Sequence, residues 1–321
     1  MPFFMVAASH SPLLDFPARE SSSVLNILAA LEQARARIRA FDPELVILFG
    51  VDHYGGHHMD CMPSFCVGVE ATAIADVGGT PGRLNVPREL AVQAVKAIRA
   101  AGVDTAVSYA MDVDHGFSQA LKRLLGGVNA YPVLPIFVSC LQPPFSPFAR
   151  ARALGEAVGS FARTLGQKRI LFMGTGGLAH NPYHLFPPID EVQPEWRPYI
   201  LHGKAQSDVP QQDWLDYEIR EHHVGAKMLI SDEMTHEMVG LNDRWDKAFL
   251  ATYCEGALST FDQWDPEQVM AEAGIGAVET QSWIAAGQAM LTASGAVPRV
   301  MFHEVSMEVG IGFGIADAGP A

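Results

Sequence analysis

Apolar and polar positions follow two rhythms along the first two thirds of the chain. Short apolar runs at residues 3–8 (FFMVAA), 44–50 (ELVILFG), 65–69, 105–111, 132–140 and 169–175 predict strands. Those at 3–8 and 44–50 are almost unbroken, as expected of strands covered on both faces. Pro135 predicts an edge or bulge for the 132–140 strand. Between the strands, residues 23–40, 87–101 and 149–166 have helical spacing, and a short helix is expected over 116–125. In the first, Val24, Ile27, Leu28, Leu31 and Ile38 share one face. This alternation predicts a layered α/β fold, with a central, mostly parallel or mixed sheet flanked by helices. From Pro182 the pattern changes. Residues 182–197 are irregular, aromatic and proline-rich. Helices are expected at 208–223, 243–255, 266–273 and 278–293, which makes the C-terminal third mostly helical. The closing stretch from 300 to 315 is mixed, and its GIGFGI run predicts tight packing. No repeat or long linker divides the chain, so one domain over residues 1–321 is expected.

Composition narrows the function. The 321 residues are 49% hydrophobic and 18% charged, which excludes general disorder. A net charge of −14 argues against sequence-independent nucleic-acid binding or attachment to an anionic membrane. Cys61, Cys66, Cys140 and Cys254 form no CxxC pair, so buried or free thiols in a reducing compartment are expected. The opening residues lack the basic region of a signal peptide, and no uncharged apolar stretch reaches about 18 residues. A cytoplasmic protein is expected.

The informative polar residues interrupt the pattern at equivalent places. His10, His53, His115 and His180 each lie just past the end of a predicted strand. In an open α/β sheet that edge is where ligands bind. If the strands are parallel, four imidazoles distant in sequence converge. A lone loop histidine is usually structural, and repetition at four strand ends makes that explanation less economical. Asp52 and Asp114 each precede one of them, and a nearby carboxylate can hold a ring tautomer. There is no P-loop, no GxGxxG opening a helix and no HExxH. The adjacent pairs His57–His58 and His222–His223 are poor candidates for binding one ion, because neighbouring side chains point apart. A non-haem iron site needs two imidazoles and a carboxylate with open positions. His10 and His53 are the best imidazoles. Glu279, opening an apolar helical stretch, is a candidate carboxylate, although a glutamate in a first helical turn ordinarily faces water.

Together, SHSPL at 9–13, FDPELVILFGVDHYGG at 41–56, the 62–79 region, AVSYAMDVDHGFSQAL at 106–121 and GTGGLAH at 174–180 resemble the class III extradiol ring-cleavage dioxygenases of the protocatechuate 4,5-dioxygenase beta-subunit type. LNDRWDKAF at 241–249 and the region at 278–283 are fainter matches. The resemblance implies a mononuclear Fe(2+) held by His10, His53 and Glu279, with Glu272 or Glu308 as substitutes to examine. It also implies His115 as proton donor and His180 as proton acceptor. The implied reaction opens a catechol ring with both atoms of O2, and the implied assembly is a homo-oligomer.

The resemblance further implies a catechol carrying a three-carbon carboxylate side chain, cut beside the substituted carbon. Such a carboxylate would want a cation, and Arg197, Arg244 and Arg299 are candidates. Other readings keep the same residues with a different catechol, such as protocatechuate, gallate or an aminophenol. A metal-dependent hydrolase and a binding protein without activity complete the alternatives.

Overall fold

The computed structural model describes residues 2–16, 21–182, 185–231 and 234–320. Among these residues there are eleven strands: β1 (Phe3–Ala8), β2 (Leu45–Gly50), β3 (Phe65–Gly68), β4 (Ala71–Ala73), β5 (Gly82–Arg83), β6 (Ala106–Ser108), β7 (Met111–Val113), β8 (Val133–Val138), β9 (Ile170–Thr175), β10 (Arg299–Ser306) and β11 (Ile311–Ala318). Ten α-helices accompany them: α1 (Ser22–Phe41), α2 (Arg88–Ala100), α3 (His115–Ala120), α4 (Phe148–Arg163), α5 (Arg197–Gln206), α6 (Gln211–Leu229), α7 (His236–Val239), α8 (Asp243–Cys254), α9 (Pro266–Ala273) and α10 (Thr280–Ser294).

Eight strands form one mixed sheet in the order β10-β11-β1-β9-β2-β8-β3-β6. Its centre, β1-β9-β2-β8, is parallel, and antiparallel neighbours flank it as β11 and β3. Successive side chains of a strand point to opposite faces. Accordingly Phe3, Met5, Ala7, Leu45, Ile47 and Phe49 join the core beneath α4 and α10. Phe4, Val6, Ala8, Val46 and Leu48 join the core beneath α1 and α3. Covering both faces explains the near-continuous apolar runs of β1 and β2.

α10 lies against β1, β2 and β9 and packs closely on α4. Gly155 and Gly159 face the backbone of Ala285 and Ala289, so two helical backbones meet without intervening side chains. This packing brings the residue before α10, Glu279, over the C-terminal ends of the central strands.

Three expectations need correction. The 105–111 run is two strands in two sheets, β6 at the edge of the large sheet and β7 in a small one ordered β5-β4-β7. Ser108 and Tyr109 break the run: Ser108 Oγ accepts the Ala110 N–H, and Tyr109 turns out to solvent beneath Arg88. β8, expected at an edge because of Pro135, is interior. The Val133 N–H points away from β2 to Asn85 O, and the same alternation aims the Pro135 nitrogen to that side. There the β3 ladder has already ended at Val67↔Ile136, so no ladder bond is lost. The polar helix expected over 208–223 is α6, which runs on to Leu229 and buries Trp214, Leu215, Glu218 and His222. As expected, the C-terminal region is helical up to α10, and the mixed closing stretch is a hairpin of β10 and β11. The GIGFGI glycines pack tightly in β11, where a Cβ on Gly312 would overlap the Asp246 carboxylate.

All four cysteines are free thiols, with Cys66 and Cys140 buried. Among the described residues, no helix is long and apolar enough to cross a membrane.

His57 stacks on Phe137 with ring centroids 3.8 Å apart, and burial pushes its imidazole down to about 4. The unfolded chain therefore takes up this proton first, and the contribution of the neutral ring is lost as pH falls below about 6.5. Between pH 7 and pH 5 this group should remove about 2 kcal/mol of stability. Urea unfolding should show His57→Phe to be less sensitive to acid by that amount; an unchanged pH slope would contradict the assignment.

Candidate active site

β1, β2 and β9 are parallel neighbours, so the residues that follow them emerge on one edge of the sheet. His10 follows β1, His53 follows β2 and His180 follows β9. His115 arrives by another route, as the first residue of α3 after β7 of the small sheet. The rings of His10 and His53 stand 5.4 Å apart, as do those of His10 and His115, while His53 and His115 stack at 4.0 Å. All three are buried.

Glu279 completes the group from the opposite side. Its Oε2 lies 4.0 Å from His10 Nε2, and its Oε1 lies 3.7 Å from His53 Nε2. These are ion-pair distances rather than hydrogen bonds. Oε2 accepts the Gly177 N–H at 2.7 Å, whereas Oε1 has no hydrogen-bond partner although the residue is only 1% exposed. The close approach of β9 depends on Gly176, whose φ of 131° suits glycine and where a Cβ would meet Glu279 Cβ at 2.7 Å. Glu272 is exposed on α9, and Glu308 sits in the β10–β11 turn with Ser306. Neither reaches the group.

Buried partners lie behind the rings, although His53 Nδ1 makes no hydrogen bond. His10 Nδ1 meets Thr175 Oγ1 at 2.8 Å. Asp114 accepts the backbone N–H of His53 and lies 3.3 Å from its Nδ1. Asp76 Oδ2 accepts the backbone N–H of His115 at 2.8 Å and meets its Nδ1 at 2.6 Å. The carboxylate pairing is therefore crossed relative to the sequence. Asp114 serves His53 rather than its neighbour His115, because it caps α3 through the Gly116 N–H and faces the loop after β2. Asp52 serves backbone, accepting the N–H groups of Gly56 and His57. Asp76 and Thr175 were missed by the sequence reading, and only tertiary contacts reveal them.

Electrostatics divide the rings. Burial pushes His10 down to about 3 despite the pull of Glu279. Burial, reinforced by the neighbouring His53, likewise lowers His115 to about 3. His53 goes the other way, since the charges of Asp114 and Glu279 outweigh its burial. Burial alone would raise Glu279, yet contact with His53 and the charges of His10 and His180 hold it at about 2. Positive charge is thus favoured at His53 beside Glu279, while burial disfavours it on His10 and His115. Two buried imidazoles oriented from behind and a carboxylate oxygen without a hydrogen bond fit a bound cation. The donor nitrogens of His10, His53 and His115 also lie within 4.8 Å of one another.

These three histidines and His180 line one cavity of about 350 Å3. The His180 ring fits between Gly177 and Gly276, either of which would overlap it if it carried a Cβ. Its Nδ1 lies 2.8 Å from Leu178 O. A proton on Nδ1 makes that bond, so Nε2 is the basic nitrogen of the neutral ring. His222, discounted as half of an adjacent pair, also lines the cavity from α6. Arg197 lies beside Asp190, Arg244 is exposed on α8, and Arg299 binds Asp317; none lines the cavity. Of the NPYH segment after His180, Tyr183 and His184 lie outside the described residues.

The family model for the catalytic LigB subunit of aromatic ring-opening dioxygenase matches residues 5–313. The chain belongs to this family, within the class III extradiol dioxygenases. It is 37% identical over 315 residues to a Dechloromonas aromatica protein named 2,3-dihydroxyphenylpropionate/2,3-dihydroxicinnamic acid 1,2-dioxygenase 2, covering 98% of this chain and 96% of the relative. A protein of the same name from Pseudomonas putida is 39% identical over 293 residues, covering 91% and 90%. An Escherichia coli O139:H28 relative named 2,3-dihydroxyphenylpropionate/2,3-dihydroxicinnamic acid 1,2-dioxygenase is 41% identical over 293 residues, covering 90% of each chain. Family and site together support extradiol cleavage of a catecholic substrate.

Asp114 supplies a helix cap and satisfies two buried N–H groups at once. Asp114→Ala should lower unfolding stability by roughly 2–4 kcal/mol in urea titration, with Asp114→Asn intermediate. Wild-type stability in the alanine variant would show that the buried carboxylate is offset elsewhere.

Proposed function

We propose that this protein is a non-haem Fe(2+)-dependent extradiol dioxygenase acting as a single catalytic domain on a 3-substituted catechol. The ion would be held by His10, His53 and Glu279. The observation that carries this reading is the buried Glu279 oxygen that lacks a hydrogen bond and lies 3.7 Å from His53 Nε2, beside the buried His10 ring whose far nitrogen meets Thr175. When bound, a ferrous ion supplies redox-active coordination for the catechol and dioxygen.

The chain's own residues supply the proton chemistry. His180, basic at Nε2 because Nδ1 is committed to Leu178 O, takes a proton from a catechol hydroxyl. His115, packed on His53 and backed by Asp76, returns a proton to oxygen as the ring opens. A proton gained at His115 Nε2 is stabilised by the carboxyl on the other side of the ring. Apolar side chains such as Leu185, Phe186 and Val239 exclude water from the reacting ring. Both oxygen atoms end in a 2-hydroxy-6-oxo-dienoate product, and no further reductant is needed. The names of the relatives support a substrate of the 3-(2,3-dihydroxyphenyl)propionate type. Other catechols, including protocatechuate, gallate and aminophenols, are compatible with the same acid, base and metal set.

One observation favours a second reading. A three-imidazole set of His10, His53 and His115 is a donor set suited to zinc, and would serve a metal-dependent hydrolase. Oxygen uptake separates the two. Protein loaded anaerobically with ferrous iron should consume one O2 per catechol and form a yellow product. His10→Ala, His53→Ala and Glu279→Ala should lose iron on metal analysis. His115→Ala and His180→Ala should keep iron while turnover falls about 100-fold or more. Iron retention in Glu279→Ala with loss in His115→Ala would favour the three-imidazole set.

A further inference from the structure

The cavity has two chemically distinct ends. One end carries the histidines, and the remainder is dominated by apolar side chains, among them Leu13, Met228, Met234, Met238 and Ile311. A cavity of roughly 150 Å3 takes a benzene ring. The present 350 Å3 therefore leaves room for a substituent of several heavy atoms beyond the catechol ring. Among the described lining residues there is no lysine or arginine, and the lining residue with a full formal charge is Glu221. Arg220 lies 3.2 Å from Glu221 but is exposed and not part of the lining. His222 places Nδ1 2.7 Å from Glu218 O.

We propose that the ring substituent received by this cavity is uncharged and apolar, so that neutral 3-alkylcatechols are preferred over the carboxylate-bearing catechol in the relatives' names. The inference rests on the catechol reading of the site. A carboxylate directed at this wall gains no cation from the described lining residues and meets the carboxylate of Glu221. A methyl group at the same position gains apolar contact. The methionines suit flexible chains of differing length, because an unbranched thioether repacks easily. Met228 and Met238 are 44% and 58% exposed, so the apolar lining continues outward to solvent.

The test compares 3-propylcatechol with 3-(2,3-dihydroxyphenyl)propionate, whose side chains differ chiefly in the terminal methyl and carboxylate. Anaerobic binding to ferrous-loaded enzyme is measured by calorimetry, then kcat/KM by oxygen uptake. Propylcatechol should bind at least about tenfold tighter and show the larger kcat/KM. Met238→Lys, at an exposed position that tolerates the change, should shift the binding ratio toward the carboxylate by about fivefold or more. Equal or tighter binding of the carboxylate by wild type overturns the proposal and, if both compounds are oxidised, leaves the dioxygenase reading intact. A propylcatechol preference in binding without oxygen uptake from either compound supports the pocket and overturns the dioxygenase reading. Failure of both catechols to bind overturns both, and an unmoved ratio in Met238→Lys overturns the assignment of the substituent to this wall.

Discussion

A carboxylate almost wholly removed from water, Glu279, sets the terms for the rest of the site. Burial of an ionised carboxyl is costly unless positive charge or hydrogen-bond donors surround it. Here one oxygen accepts the Gly177 N–H, and the other faces His53 without a hydrogen bond. The residue is placed by the packing of α10 on the central strands, and that packing depends on the small residues of α4. The helical layer and the chemistry are thus one construction. A shift of α10 would move the carboxylate away from its imidazoles.

Around this centre, each ring is oriented by a partner remote in sequence. His10 uses Thr175, His53 uses Asp114, and His115 uses Asp76. Fixing the rear nitrogen chooses which front nitrogen faces the cavity. The crossed carboxylates also join the small sheet to the large one. Asp114 ends β7's connection and caps α3 while binding the loop after β2, so the second sheet is part of the site rather than an appendage.

The family places the chain among enzymes that open aromatic rings, and the relatives share about 37–41% of its residues. The histidine end of the cavity lies at the ends of the central strands. Much of the remainder comes from α6, α7 and the β10–β11 turn, joined by Leu13, Leu185 and Phe186 from the segments after β1 and β9. Side chains there can differ without disturbing the buried histidines and Glu279. This division lets one scaffold serve several catechols.

Much of the scaffold is legible in the chain itself. The covered strands at 3–8 and 44–50 required helices on both faces, and parallel strands required His10, His53 and His180 to share an edge. Periodicity also identified the apolar helix that follows Glu279. It could not show that the glutamate turns inward, since a first-turn carboxylate is equally at home in water. Nor could local pattern split the 105–111 run, because a kink and a change of sheet depend on which neighbours are available. Pro135 misled for the same reason: proline excludes one ladder bond, and only the length of β3 decides whether that bond was needed. Asp76, Thr175 and His222 gave no local signal, as their roles are contacts across 39, 165 and 107 positions with His115, His10 and His115 respectively. The sequence by itself determined the layers and the strand ends where chemistry gathers. The tertiary structure alone decided which polar groups meet there, because hydrogen bonds and ion pairs are set by distance in space and not by order along the chain.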